Sequence, residues 1–254
     1  HAPPKIVSRK AAAPDTATDV LSSILAHDGA QQSATTAARE ARNPFTRLAH
    51  AAPAYSDAVG SSAEHHVGPG VMADIDSGSE KLLPGLTQYE AWPALRKQLA
   101  LIALENDGSA TETLHTLQDA INSRELDTAY DVAAVLHWRI RGNLDGGPLP
   151  WMITIPTQLP EPTRHYLHAR HARVRELATE VHEQAMNWTP ATVPVWARAL
   201  HAVAPALTAR VAVWRAALGV EAADRRITGP RQYSVATRRY QKRLDAAVES
   251  RLHE

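Results

Sequence analysis

The chain contains no cysteine, so no disulfide framework holds it together, and at 254 residues it needs none. It has no net charge: 27 basic and 27 acidic side chains cancel, which excludes binding nucleic acid through overall charge and leaves only local patches. Aromatic residues are few, with a single phenylalanine, Phe45, and β-branched runs are short. No apolar stretch reaches the roughly 18–20 residues of a membrane span, and no signal-peptide core opens the chain. Phosphate-binding glycine patterns are missing as well. There is no G-x-x-x-x-G-K-[ST], no Gly-Lys pair, no G-x-G-x-x-G and no G-x-S-x-G, so P-loop hydrolysis and the nucleophile elbow are excluded.

What is present is alanine, arginine and helical periodicity, and the expected class is all-α, an irregular multi-helix bundle. His1-Ala2-Pro3-Pro4 lacks an initiator methionine, so we expect a piece of a longer protein. Residues 1–14 read as an extended linker. One helix is expected from near Asp15 to Asp28-Gly29 and a weaker one over 33–42. Asn43-Pro44 then caps and starts a third, carrying Phe45, Leu48, Ala52, Tyr55 and Val59 at helical spacing. Further helices are expected over about 71–83, 90–106, 109–122 and 128–141. Ser109 with Glu112 offers a capping box for the third of these.

Gly146 to Pro156 is the densest Gly/Pro punctuation and holds Trp151; Trp151, Ile153 and Ile155 are expected to be buried. The longest helix follows, about 163–187, with Leu167, Val174, Val181 and Trp188 a heptad apart. A short helix near Trp196, another from Pro205 to Gly219, and a last one over 232–252 complete the chain. The spacing suggests two lobes, 15–141 and 161–254, hinged at a connector over 142–160.

Chemistry-bearing residues are sparse. Of the 13 histidines, His165, His168 and His171 lie at i, i+3, i+6 on one helix, with His182 beyond. No acid or cysteine joins them, so they read as a solvated face, with a metal-dependent enzyme as the alternative. No Ser/His/Asp set shares an activating context, and neither a catalytic residue, a metal nor a cofactor is assigned.

Two basic patches remain. One lies on the N-terminal half of the long helix: Arg164, Arg170, Arg173 and Arg175 with the neighbouring histidines. The other comprises Arg225, Arg226, Arg231, Arg238, Arg239 and Lys242, with Tyr233 and Tyr240 interleaved. Arg231, Arg238 and Lys242 align at seven and four, and tyrosines beside arginines suit stacking on unpaired bases. On the last helix Tyr233, Tyr240, Leu244, Ala247 and Val248 are expected to make the buried stripe; the alternative to a binding patch is a solvated face balanced by Asp245 and Glu249.

Short signatures stand in order along the chain: Asp28-Gly29-Ala30-Gln31-Gln32, Ala91-Trp92-Pro93-Ala94-Leu95-Arg96, Ala134-Val135-Leu136-His137-Trp138-Arg139, Gly147-Pro148-Leu149-Pro150-Trp151, Val213-Trp214-Arg215 and Asp224-Arg225-Arg226-Ile227-Thr228-Gly229-Pro230. Together they resemble the region after the helicase in actinobacterial conjugative relaxases of the MobF (TrwC/TraI-like) class. The resemblance implies a cytoplasmic parent that nicks plasmid DNA and unwinds it with ATP. Neither catalytic half is in this chain, so the resemblance implies a non-catalytic accessory module. Its implied partners are relaxosome proteins or the coupling and secretion proteins, with single-stranded DNA as a further partner and no membrane insertion.

Overall fold

The computed structural model describes residues 41–126, 129–140 and 146–253. Among them are nine α-helices and no strand, the expected all-α class. They are α1 (Pro44–Val67), α2 (Pro69–Leu82), α3 (Trp92–Glu105), α4 (Ala110–Asn122), α5 (Val132–Arg139), α6 (Glu161–Met186), α7 (Arg198–Val203), α8 (Pro205–Ala217) and α9 (Val235–Leu252). The linker over 1–14 and the first two expected helices lie outside the described residues, except that Ala41 and Arg42 are helical.

Helix α1 forms where Pro44 supplies a ready-made first turn, and its stripe of Leu48, Ala52, Tyr55 and Val59 is fully or almost fully buried. That stripe packs against α6, α3 and α8, which makes α1 the common partner of helices from both ends of the chain. Burial of such a stripe drives the packing, at about 25 cal/mol per Å² of apolar surface removed from water. The described residues from Pro44 onward form one compact unit.

Polar ties fix the angles between helices. Arg96 of α3 grips Asp76 of α2 through Nε and Nη2 (2.8 and 3.1 Å) and donates to Glu64 of α1 at 2.6 Å. Asp131 caps α5 at Ala134 N (2.8 Å) and also accepts from Ala91 N (2.9 Å), joining the starts of α3 and α5. Ser109 caps α4 by accepting from Glu112 N at 3.2 Å, half of the expected box. Arg139 of α5 donates to the carbonyls of Ala120, Arg124 and Glu125, satisfying the open C-terminal end of α4.

The segment 146–156 is a brace. Gly147 N donates to Met152 O (2.9 Å) and Met152 N to Leu149 O (2.9 Å), closing a tight loop. A methyl on Gly147 would overlap the Ile153 carbonyl, so glycine is required there by close approach. Trp151 is buried as expected, and its ring meets Trp214 of α8 at 4.8 Å and Tyr240 of α9 at 4.6 Å. From the other side the Tyr55 hydroxyl of α1 donates to Ile153 O at 2.9 Å. Ile153 and Ile155 are half-buried against the core.

Candidate partner-binding surface

The second basic patch is built on a turn that the core holds from inside. Helix α8 ends at Ala217, and Arg215 in its last turn is only 3% exposed. Its guanidinium lies over the Trp196 ring at 4.5 Å and donates to four carbonyls: Glu221 and Asp224 (both 2.9 Å), Arg226, and Ile227 (3.3 Å). A planar five-donor group suits this, because it satisfies several inward-facing carbonyls at once. Burial lowers its pKa from the usual guanidinium value, with Asp224 opposing that shift. Next to it, Trp214 Nε1 donates to Thr228 O at 2.9 Å, and the Thr228 hydroxyl donates to Asp245 at 2.6 Å. Gln241 of α9 accepts from Gln232 N (2.8 Å) and donates to Pro230 O (2.9 Å). Gly229 takes φ +78° with Val220 packed against it, a conformation that L side chains resist.

With the backbone held inward, the cations face out. Arg225, Arg231 and Lys242 are exposed and Arg238 is half-buried; none makes an ion pair among the described residues. Arg238 and Lys242 are neighbours at i, i+4 on α9. Arg226 differs: it chelates Asp224 (3.0 and 2.6 Å), which holds that carboxyl down at about 2. Arg239 is exposed on a separate cleft. Asp245, expected to balance the arginines, is instead engaged by Thr228.

The two tyrosines part company. Tyr233 is 77% exposed and lies before the Ser234 cap, so its expected place in the buried stripe is corrected. The stripe begins with Tyr240, whose ring is already packed on Trp151 and on Trp214 (5.5 Å) with Arg243 over it. Tyr240 therefore has its faces occupied by the protein's own rings. Tyr233 does not.

The first patch is partly neutralised. Arg173 pairs with Glu176 and reaches Glu180, Arg164 pairs with Glu161, and Arg170 lies over the Tyr166 ring at 4.8 Å. His171 turns inward, its ring edge on Tyr55, while His168 stays exposed 6.4 Å from it. Burial and then Arg175 lower the pKa of His171, favouring neutral imidazole. No group of three metal-ligating side chains occurs among the described residues.

The largest cleft, about 1060 Å³, opens between α1, the start of α3, the end of α5 and the start of α9. Its groups do not assemble a nucleophile with a base: Lys97 is paired with Asp57, Ser234 caps α9, and burial holds His137 below its usual pKa. Sequence reasoning missed Arg215, the residue on which the turn depends. Its signal was an arginine four residues before a glycine stop, beside a tryptophan, which resembles any charged helix end.

No helix among the described residues is long and apolar enough to cross a membrane. Comparisons with protein families, characterised proteins and solved structures give no match.

Proposed function

We propose that the chain is a non-catalytic accessory module of a cytoplasmic conjugative relaxase–helicase. It would present the 225–242 surface to an acidic partner of the relaxosome or the transfer machinery. The ordered signatures support the parentage. The observation that carries the role is the set Arg225 and Arg231 on the turn that Arg215 holds and Arg238 and Lys242 on the adjoining α9, all without ion pairs among the described residues. A rigid display of cations costs little ordering entropy on binding and steers an anionic partner in. The test is capture of identified relaxosome or coupling proteins from donor cells. Charge reversal at all four positions abolishes that capture; undiminished capture by the reversed protein sinks the reading.

A second reading rests on Tyr233, an unoccupied aromatic face beside these cations: the same surface holds single-stranded DNA. Anisotropy across a salt series then gives log K falling with a slope of about −3, at roughly 0.7 per neutralised phosphate. A flat series with the surface intact eliminates DNA.

A further inference from the structure

A second, smaller site lies beside the brace. The connector, α6, α8 and α9 line an open pocket of about 320 Å³. Pro148, Leu149, Pro150 and Val213 contribute to its apolar part, and besides Tyr240 its titratable lining groups are Arg175, His182 and Arg210. No carboxylate lines it.

The absence of compensation has a local cause. Helix α8 carries no acidic residue, so Arg210 has no acid on its own helix. On α6 Glu161, Glu176 and Glu180 are engaged by Arg164, Arg173 and Arg47, and the fourth acid, Glu183, does not line the pocket. Arg175, His182 and Arg210 make no ion pair among the described residues. Uncompensated cations around a low-dielectric floor focus a positive potential, which concentrates anions.

Size narrows the ligand. A volume of about 320 Å³ sits at the lower end of small-molecule sites, roughly 300–1,000 Å³. Chemistry narrows it further: two arginines from different helices suit a tetrahedral, multiply accepting anion, and Pro148, Leu149 and Pro150 offer apolar surface beside them. We propose that this pocket binds a nucleoside 5′-phosphate, the phosphate between Arg175 and Arg210 and the base against the Pro148–Pro150 segment. The nucleotide is either free or the 5′ end of a single strand. The cations of this site, Arg175, His182 and Arg210, are distinct from those of the 225–242 surface, with Tyr240 lining the pocket from α9.

Isothermal titration of the full chain with thymidine 5′-phosphate tests it, alongside thymidine, inorganic phosphate, benzoate and a 5′-phosphorylated oligothymidine. The nucleotide binds at least about tenfold tighter than thymidine or phosphate, and Arg175→Ser and Arg210→Ser each weaken it about tenfold or more. Arg225→Ser with Arg238→Ser leaves nucleotide binding unchanged, which separates this site from the partner surface. An oligonucleotide that binds tighter than the mononucleotide, and keeps that margin in the Arg225→Ser with Arg238→Ser protein, assigns the pocket to a strand end, and equal binding in that protein assigns it to free nucleotide; either supports the site. No nucleotide binding overturns the proposal. So does binding that both serine variants keep while their circular dichroism is native, or benzoate binding as tightly as the nucleotide.

Discussion

The connector at 146–156 and the turn at 219–233 are both irregular, and they are held in opposite senses. The connector sends its side chains inward: Trp151 lies among Trp214 and Tyr240, and its backbone takes the Tyr55 hydroxyl. The turn sends its carbonyls inward, to Arg215, Trp214 and Gln241, and releases Arg225, Arg226, Arg231 and Tyr233 to solvent, while Ile227 and Thr228 stay packed. The two meet at Trp214, whose ring touches the connector while its Nε1 holds the turn. Irregular chain buried through its side chains becomes scaffold, whereas irregular chain buried through its carbonyls is left free to display chemistry.

Substitutions can break that contrast, starting with the largest effect. Trp151→Ala removes the ring joining connector, α8 and α9, and should lower stability by about 3–5 kcal/mol in urea titration. A loss under about 1 kcal/mol would mean the connector merely lies on the surface. Arg215→Met keeps much of the stem and strands the four carbonyls, with an expected loss of about 3 kcal/mol. Its mark is local: hydrogen exchange should accelerate over 219–233 more than over 146–156. Equal acceleration would show that the two segments are not held separately.

Much of this was legible in advance, and the reasons differ by residue. Helix α1 was readable because Asn43-Pro44 and a four-residue apolar spacing act locally, and the stripe it predicted is the stripe that is buried. Burial of Trp151 was readable from a tryptophan among prolines. Tyr233 was misplaced because α9 starts at Val235 rather than near 232: Ser234 caps it by accepting from Thr237 N, and a residue before the cap has no helical face. Arg215 and Asp245 were unreadable because their partners are backbone carbonyls and a hydroxyl 6–17 positions away, which no charge pattern encodes. The separation of the two basic patches had the same origin. Glu176 and Glu180 neutralise Arg173 by helical spacing, while α9's Asp245 is drawn off by Thr228.

Two smaller changes sharpen the connector's half of the comparison. Gly147→Ala should cost about 2 kcal/mol, because the added methyl meets the Ile153 carbonyl rather than a movable side chain. An unaffected midpoint would show that the loop opens readily. Tyr55→Phe removes the donor to Ile153 O and should cost about 1 kcal/mol at neutral pH. It also changes the pH dependence. Burial pushes the Tyr55 phenol up to about 12, so the folded state keeps its proton where the unfolded state, near 10, loses it. That stabilisation is complete below pH 10 and disappears as pH rises toward 12. Wild type should therefore lose stability faster than Tyr55→Phe across that window, and parallel curves would place the hydroxyl in water.

The smallest effect on stability tests the other half. Arg238→Ala and Tyr233→Ala remove side chains that hold nothing visible in the fold, so each should shift stability by less than about 0.5 kcal/mol. If the turn is a display, the same changes should weaken partner capture or oligonucleotide binding severalfold while denaturation midpoints stay put. The separation of the two readouts is the content of the prediction. A Tyr233→Ala protein that loses binding only as it loses stability would make the turn a second brace, and the contrast with 146–156 would disappear.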